Sequence, residues 1–324
     1  MSQILPNTDH EATFTPQLEK ATGAIPFNMT NDYMFKAVLQ KNEQVLKGLI
    51  CSCLHMSPDE IRSIKITNPI KLGEHIDEKE LILDIAVLMN DNTLINLEMQ
   101  VENELNWPER SLTYLCRSFD QLQKGGNYLD AKPAIHIGFL NFTLFEDHPE
   151  FYAKYQILNV KNHRIYSDKF TLYVLDLNHI ELATEEDKQD RIDHWASLFK
   201  ATTWEEIRMI AKDDEAFTQA AETIYQLSAE EEIRQRCQAR EDYYRRQNGY
   251  KQKIEDLTAE NESLTTENES LTTQNESLTA EVKDLSSENE SLSAQNSSLS
   301  ARNNSLSAEN ERLLALLKQN GISI

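Results

Sequence analysis

Leucine recurs at every seventh position in the last quarter of the chain, and this repeat limits what that part can fold into. The leucines are Leu257, Leu264, Leu271, Leu278, Leu285, Leu292, Leu299, Leu306 and Leu313. A second set of positions repeats with the same period, four residues after one leucine and three before the next. It contains Ile254, Asn261, Asn268, Asn275, Val282, Asn289, Asn296, Asn303, Asn310 and Leu317. Two such sets are typical of the a and d positions of a coiled coil.

Asparagine dominates the second set, the a positions. A buried asparagine at a costs stability, but it pairs with its counterpart in an in-register parallel dimer and disfavours other registers. We therefore expect residues 251–319 to form a parallel coiled coil, a homodimer on the order of 100 Å long at about 1.5 Å per residue. The alternative is a disordered linker rich in Ser, Thr, Glu and Asn, because these residues are mediocre helix formers.

The composition indicates a globular body ahead of this repeat. The chain has 324 residues, of which 40% are hydrophobic, enough for one sizeable core. The formal net charge of -22 disfavours binding to nucleic acid or to anionic membranes, unless local basic groups or a divalent cation assist. No apolar run reaches the roughly 18 residues of a membrane span. The four cysteines show no metal-binding or disulfide spacing, so we expect a cytoplasmic protein with reduced thiols.

The pattern of the body predicts an α/β fold with a mixed sheet flanked by helices. The predicted helices are NDYMFKAVLQKNEQVLKGLICSCL and WPERSLTYLCRSFDQLQKGGNYL, the latter closed by Gly125 and Gly126. The predicted strands are LILDIAVLM, TLINLEMQV, AIHIGFLNF and FTLYVLDL. We divide the chain into a flexible segment (1–26), an α/β domain (27–180), an α-helical connector (181–250), the coiled coil (251–319) and a tail (320–324). Arg234–Arg246 is basic and aromatic, which fits either nucleic-acid contact or a solvated helix face.

The strand TLINLEMQV alternates apolar and polar residues. Ile95, Leu97, Met99 and Val101 occupy one face, and Asn96, Glu98, Gln100 and Glu102 occupy the other. Successive strand residues point to opposite sides of a sheet. The pattern therefore predicts one face in the core and one face in water.

Asp84 lies in the middle of the preceding strand, where aspartate is disfavoured. If Asn90-Asp91-Asn92 form a three-residue turn, Asp84 lies directly opposite Glu98. Two opposed carboxylates repel each other, and a divalent cation between them would convert that repulsion into coordination. A solvent-facing acidic pair at a sheet edge fits equally well. A two-residue turn would place Asp84 opposite Met99 and exclude the metal site.

Together these residues resemble a known family, the recombination-promoting nucleases (Rpn), which belong to the PD-(D/E)XK nuclease superfamily and are often labelled transposases. The likeness spans Asn31 to roughly Asn141. Its motifs are Asp32-Tyr33-Met34-Phe35-Lys36, Leu83-Asp84-Ile85, Glu98-Met99-Gln100, Arg110 with Tyr114, and Gly125 with Tyr128. The resemblance implies a restriction-endonuclease-like core and DNA cleavage that depends on Mg2+ or Mn2+. It also implies a role in recombination, mobile elements or phage defence.

The resemblance also assigns site residues. Asp84 and Glu98 match the two metal-binding carboxylates, and the Met99 main-chain carbonyl would complete the coordination sphere. Gln100 stands where the wider superfamily has lysine. A neutral amide can orient a water molecule but cannot neutralise charge, so this position departs from the superfamily pattern.

Further candidates lie on two predicted helices. Arg110, Tyr114 and Arg117 share one helix face at i, i+4 and i+7, where they could hold DNA phosphates, although Tyr114 fits the core equally well. Asp32 could add a metal ligand, but an acid in the first turn of a helix is also ordinary capping electrostatics.

Two functions are compatible with these patterns. The first is an oligomeric Mg2+-dependent DNA endonuclease with several active sites. The second is a non-enzymatic interaction or regulatory protein built on a degraded nuclease fold. The resemblance also implies that a separately made carboxy-terminal fragment could bind the full chain, and Met209 is a candidate internal start.

Overall fold

The computed structural model describes residues 13–68, 84–120, 122, 124–212 and 214–321, and the chain divides into two units between Arg246 and Gln247. The first unit contains a mixed sheet. Its strands are β1 (Ile64–Ile66), β2 (Ile85–Met89), β3 (Thr93–Gln100), β4 (Ala134–Leu140), β5 (Tyr152–Gln156) and β6 (Phe170–Asp176), in the order β1-β2-β3-β4-β6-β5. The mixed sheet and its flanking helices fit the predicted restriction-endonuclease-like core.

The strand pairing confirms the predicted hairpin. β2 and β3 are antiparallel, and Met89 pairs with Thr93, which leaves the three turn residues that the sequence suggested. Asn90 and Asp91 adopt positive φ angles of 51° and 58°, a conformation that Asn and Asp tolerate better than most residues. β3, β4 and β6 run parallel, whereas β1 and β5 are antiparallel edge strands that the sequence did not predict. Residues 81–83 of the predicted strand lie outside the described residues.

Helices surround the sheet. They are α1 (Pro16–Lys20), α2 (Asp32–Lys41), α3 (Glu43–Leu54), α4 (Trp107–Phe119), α5 (Glu185–Gln189), α6 (Ile192–Lys200), α7 (Trp204–Ala211), α8 (Glu215–Ala229) and α9 (Glu231–Gln319). The first predicted helical stretch is two helices, because the Asn42 side chain accepts hydrogen bonds from the Gln44 and Val45 amides and starts α3. The second predicted helix ends at Phe119, ahead of the predicted stop at Gly125.

One face of the sheet packs on the helices of the main core. Phe35 of α2 lies 5.2 Å from Phe139 of β4 between ring centroids, and Phe199 of α6 lies 5.5 Å from the same ring. Trp195 of α6 packs on Phe217 of α8 at 4.4 Å. The helices after residue 180 therefore belong to the same hydrophobic core as α2 and the sheet.

The opposite face of the sheet is covered by α4, so the prediction that this face is wet is wrong. Trp107, at the start of α4, is buried in a small cluster with Leu140 of β4 and Val174 of β6. Gly138 permits this approach, because a Cβ atom there would lie 2.0 Å from the Trp107 ring. Consequently Asn96, Glu98 and Gln100 on β3 are buried beneath a helix.

In the second unit, from Gln247 onward, α9 is one continuous helix as far as Gln319. The disordered-linker alternative for the heptad repeat is therefore wrong. The repeated leucines remain about half exposed in the single chain, from 48% at Leu257 to 58% at Leu299. Pairing of this helix with a second copy stays a prediction.

The four cysteines, Cys51, Cys53, Cys116 and Cys237, are not joined by disulfides in the structure. Across the described ranges, no helix is both long enough and apolar enough to cross a lipid bilayer.

Candidate functional site

Asp84, directly before β2, and Glu98 of β3 are both acidic, and the strand register brings them together. Ile85 pairs with Leu97, so the residue before Ile85 lies opposite the residue after Leu97. Asp84 is 8% exposed and Glu98 is 4% exposed. The juxtaposition expected from a three-residue turn is therefore present, although the pair is buried and does not face solvent.

Asn68 fixes the main chain around Asp84. Its side-chain amide donates a hydrogen bond to the Asp84 carbonyl at 3.1 Å, and its side-chain oxygen accepts one from the Ala86 amide at 2.7 Å. These two bonds satisfy the hydrogen-bonding groups of the main chain on either side of Ile85. Asn68 itself lies just beyond the end of β1. Asn68 thereby positions the acidic residue without contributing a charge.

Arg110 of α4 binds Glu98 directly. Its Nε and Nη2 atoms each lie 2.7 Å from the same Glu98 oxygen, Oε1. Burial raises the pKa of the Glu98 carboxyl to about 7, and the Arg110 guanidinium opposes part of that rise. Removing a carboxylate from water is costly unless it is paired, so Arg110 makes the burial of Glu98 tolerable.

Asn96 and His136 form a neutral bridge beside the carboxylates. The Asn96 amide nitrogen lies 3.1 Å from His136 Nδ1, and the Asn96 side chain also lowers the pKa of Asp84. Burial lowers the pKa of His136 to about 3, so the ring is neutral at physiological pH. If the Asn96 amide donates to Nδ1, the ring proton is on Nε2, which lies 3.7 Å from Glu98 Oε2.

Lys36 is a second cation that acts on the acidic residues of the site. Burial raises the pKa of the Asp84 carboxyl, and the Lys36 ammonium, followed by Arg110, lowers it. Burial also lowers the pKa of Lys36, and Asp84 opposes that shift. Lys36 is only 4% exposed, so this cation is held inside the protein.

One oxygen of each carboxylate is left without a hydrogen-bond partner among the described residues. These atoms are Asp84 Oδ1 and Glu98 Oε2, and both are buried. Unpaired buried acceptors are rare and indicate a missing partner such as an ion. No group of three or more His, Cys, Asp or Glu side chains in the described ranges is arranged to hold a metal. The two free carboxylate oxygens fit Mg2+ or Mn2+, which bind to one or two carboxylates and take other ligands from water, main-chain oxygens or substrate phosphates.

Gln100 and Met99 occupy opposite faces of β3. Gln100 is buried beside the acidic pair, and its amide nitrogen donates to the Glu102 carbonyl at 3.1 Å. The Met99 side chain is buried in the main core. Coordination by the Met99 carbonyl stays a prediction.

The predicted basic face of α4 is present. The guanidinium groups of Arg110 and Arg117 lie 5.4 Å and 5.9 Å from the centre of the Tyr114 ring. Tyr114 also stacks on His136, with ring centroids 6.1 Å apart. Arg110 is bound to Glu98 and Tyr114 is half-buried, whereas Arg117 is exposed. DNA contact by these three residues stays a prediction.

Asp32 is bound by other residues. Arg240 of α9 donates to both Asp32 oxygens, at 3.0 Å from Nε and 2.5 Å from Nη2, and Tyr244 donates to Oδ2 at 2.6 Å. Asp32 is 3% exposed, so this is a buried ion pair. Because both oxygens are occupied, we leave Asp32 out of the proposed metal site. Two members of the basic, aromatic segment Arg234–Arg246 therefore hold α9 against α2, which neither interpretation of that segment anticipated.

Sequence reasoning missed four residues that shape the site, namely Lys36, Asn68, Asn96 and His136. A partial indication existed for Asn96, because it shares the polar face of β3 with Glu98. His136 lies beside Asn96 in the parallel register of β3 and β4, a pairing that needs the sheet order. Lys36 lies on α2 and Asn68 follows β1, so each is on a different element from Asp84. Their effects on Asp84 are therefore visible only in the folded chain.

Comparison with known proteins identifies a family. A family model described as PD-(D/E)XK nuclease family transposase matches residues 29–255, more than half of the chain. Neither the curated proteins nor the solved structures contain a match.

The buried pair between Asp32 and Arg240 gives a stability prediction. Arg240→Ala leaves the Asp32 carboxylate buried without its cation, and we expect the free energy of unfolding to fall by about 3–5 kcal/mol. Arg245→Ala is the matched control, because Arg245 forms an exposed ion pair with Asp242 on the same helix. Urea unfolding should show a loss of less than about 1 kcal/mol for this control. Equal losses in the two variants would contradict the assigned role of Arg240.

Proposed function

Because the chain belongs to the PD-(D/E)XK nuclease family transposases, we propose that it is a divalent-metal-dependent DNA endonuclease whose site is centred on Asp84 and Glu98. PD-(D/E)XK nucleases generally use divalent metals. The observation that supports this site is the pair of buried, unpartnered oxygens, Asp84 Oδ1 and Glu98 Oε2, on directly opposed strand positions. A degraded nuclease would have no reason to keep two costly buried carboxylates in register.

The proposed reaction is hydrolysis of a phosphodiester bond. A bound Mg2+ or Mn2+ would polarise the phosphate and lower the pKa of a water molecule. Asp84 and Glu98 would hold the cation, and Arg110 would keep Glu98 in one orientation through Oε1, leaving Oε2 for the metal. Gln100 would orient water through its side-chain oxygen, since its amide nitrogen is committed to Glu102.

The charge balance constrains how DNA is bound. With a formal net charge of -22, long-range attraction to DNA is weak, so binding should depend on a few local cations and on salt concentration. Arg117, exposed and next to Tyr114, is the best placed member of the α4 face for a phosphate contact. A role in recombination, mobile elements or phage defence is compatible with this chemistry.

We also propose that residues 251–319 pair in parallel, so that two sites are carried by one dimer. The support is the continuous helix with a stripe of half-exposed leucines, together with the asparagines that favour an in-register parallel dimer. In this proposal residues 27–180 carry the chemistry, and residues 181–250 connect them to the paired helix.

The alternative function is a non-enzymatic assembly or regulatory protein, whose partners could include a carboxy-terminal fragment of the same chain. A lack of cleavage by pure protein with Mg2+ and with Mn2+ would favour it.

Removal of either carboxylate tests the site. Asp84→Ala and Glu98→Ala should each lower the rate of plasmid nicking in Mg2+ or Mn2+ by about 100-fold or more, because the cation loses an anionic ligand. Glu109→Ala, an exposed acid in the first turn of α4, is the matched control and should cut normally. Circular dichroism should show that all three variants fold. Undiminished cleavage by both Asp84→Ala and Glu98→Ala would exclude the assignment.

The raised pKa of Glu98, about 7, predicts that metal binding depends on pH. Below about pH 7 the carboxyl is protonated, so a cation must displace a proton to bind, and above pH 7 it need not. Calorimetric titration with Mn2+ in buffers of different ionisation enthalpy should detect proton release near pH 6 that diminishes near pH 8. Apparent affinity should fall as the pH decreases through 7. A proton release that is the same at both pH values would contradict the ligand role of Glu98.

Light scattering on the full chain tests the paired helix. The native protein should have about twice the monomer mass of 37.4 kDa. The triple variant Leu271→Asp, Leu278→Asp, Leu285→Asp should be monomeric, because charges at d positions cannot be buried together. Thr266→Asp, Thr273→Asp, Ala280→Asp adds the same charge at outer f positions and should remain dimeric. A monomeric native chain would contradict the proposal.

A further inference from the structure

A two-stranded ribbon extends beyond the sheet between β5 and β6. At its base the Tyr166 amide donates a hydrogen bond to the Ile157 carbonyl at 2.9 Å. Nearer its tip the Asn159 amide donates to the Arg164 carbonyl at 2.9 Å. These antiparallel bonds give residues 157–166 a defined conformation, and we refer to them as the β5–β6 ribbon.

The β5–β6 ribbon exposes a large share of apolar side chain. All ten of its residues are exposed. Half of them are large and apolar, namely Ile157, Leu158, Val160, Ile165 and Tyr166. Val160 and Tyr166 are the most exposed of these, at 84% and 85%. Single exposed apolar residues are normal, but a contiguous set on a protruding element is typical of a binding surface.

The charge of the β5–β6 ribbon is opposite to that of the whole chain. No Asp or Glu occurs in the 17 residues from Phe151 to Ser167, although 54 of the 324 residues of the chain are acidic. The ribbon carries Lys161 and Arg164, and neither side chain has a hydrogen bond or an ion pair with another described residue. Two such cations among exposed apolar side chains fit a polyanion that also presents apolar groups.

DNA has this combination of properties. Its phosphates attract Lys and Arg, and its base edges accept apolar contacts, above all at the methyl group of thymine. A second copy of the ribbon is a poor partner, because Lys161 and Arg164 of the two copies would lie close together and like charges repel. The acidic surface elsewhere on a second copy is the competing occupant, and the experiments below detect it.

We propose that the β5–β6 ribbon is a DNA-binding arm that enters a groove of the substrate duplex. Lys161 and Arg164 bind phosphates at the edges of the groove, and Val160 and Tyr166 contact the base edges. The major groove of B-form DNA, about 12 Å wide, admits a two-stranded ribbon. The proposal rests on the proposed nuclease function, which makes DNA the substrate.

The sheet register gives the distance between the ribbon and the proposed cleavage site. Gly138 of β4 pairs with both Glu98 and Val174, so Glu98 and Val174 lie in one row across the sheet. The ribbon begins after Gln156, which pairs with Thr171, three residues before that row. At about 3.3 Å per residue and about 4.8 Å between strands, its tip lies on the order of 25 Å from Glu98. One turn of B-form DNA spans about 34 Å, so a single duplex can reach both places.

Salt-dependent binding tests the two cations. The variant Lys161→Ala, Arg164→Ala should bind a duplex of about 30 base pairs about tenfold more weakly than the native chain, in fluorescence anisotropy without added metal. The plot of log affinity against log salt concentration should become shallower by about 2, because two phosphate contacts no longer release counterions. Lys41→Ala, Lys188→Ala removes the same charge from two exposed lysines outside the ribbon and should bind like the native chain.

The apolar residues give a different signature. Val160→Ser, Tyr166→Ser should weaken duplex binding about fivefold or more and leave the salt slope unchanged, because apolar contacts release no counterions. Leu182→Ser, Met209→Ser is the matched control, since these two apolar residues are exposed outside the ribbon. Circular dichroism checks that each variant folds, and Lys161→Gln, Arg164→Gln replaces the alanine variant if that one does not.

The outcomes separate the arm from its alternatives. If the ribbon variants bind DNA as tightly and with the same salt slope as the native chain, or if the native chain binds no duplex, the proposal is wrong. If light scattering shows a smaller mass for Val160→Ser, Tyr166→Ser while DNA binding is unchanged, the ribbon contacts a second copy and the proposal is likewise wrong. If the native chain binds DNA through the ribbon but cuts none with Mg2+ or Mn2+, the proposed nuclease function fails and the arm stands.

Discussion

The ion pair between Arg110 and Glu98 is the interaction on which the site geometry depends. Glu98 is buried because α4 lies over the polar face of β3, and a carboxylate in that position needs a cation. Gly138 lets Trp107 lie close against the sheet, and one turn later α4 presents Arg110 to Glu98. Arg110 occupies Oε1 and leaves Oε2 unpaired, so the contact that stabilises the buried acid also directs its free oxygen.

Two charged residues of α2 connect this site to the rest of the first unit. Lys36 lowers the pKa of Asp84, and Asp32, one helical turn earlier, is held by Arg240 of α9. α2 therefore carries a cation toward the proposed metal site and an anion toward the helix that continues into the heptad repeat. The placement of Lys36 thus depends on a helix whose first residue is bound by Arg240.

The sequence was sufficient for local geometry but not for packing. The alternation in β3 and the Asn90-Asp91-Asn92 turn correctly placed Asp84 opposite Glu98, because hairpin register depends on nearby residues. The same alternation wrongly predicted a wet face, since burial by α4 depends on a glycine forty residues further along the chain. The contacts of Asn68 and Arg240 join separate segments of the chain, and no periodicity encodes them. The edge strand β1 was missed because it has only three residues, and β5 was missed because one of its five residues is buried, so it lacks an apolar face.

The central claim is that one divalent cation binds between Asp84 and Glu98. Anomalous diffraction at the manganese absorption edge, from crystals grown with Mn2+, tests it most directly. We expect one strong peak at about 2.1 Å from Asp84 Oδ1 and from Glu98 Oε2, with Arg110 still on Oε1. Manganese bound at other carboxylates, with Asp84 and Glu98 left unliganded, would contradict the account.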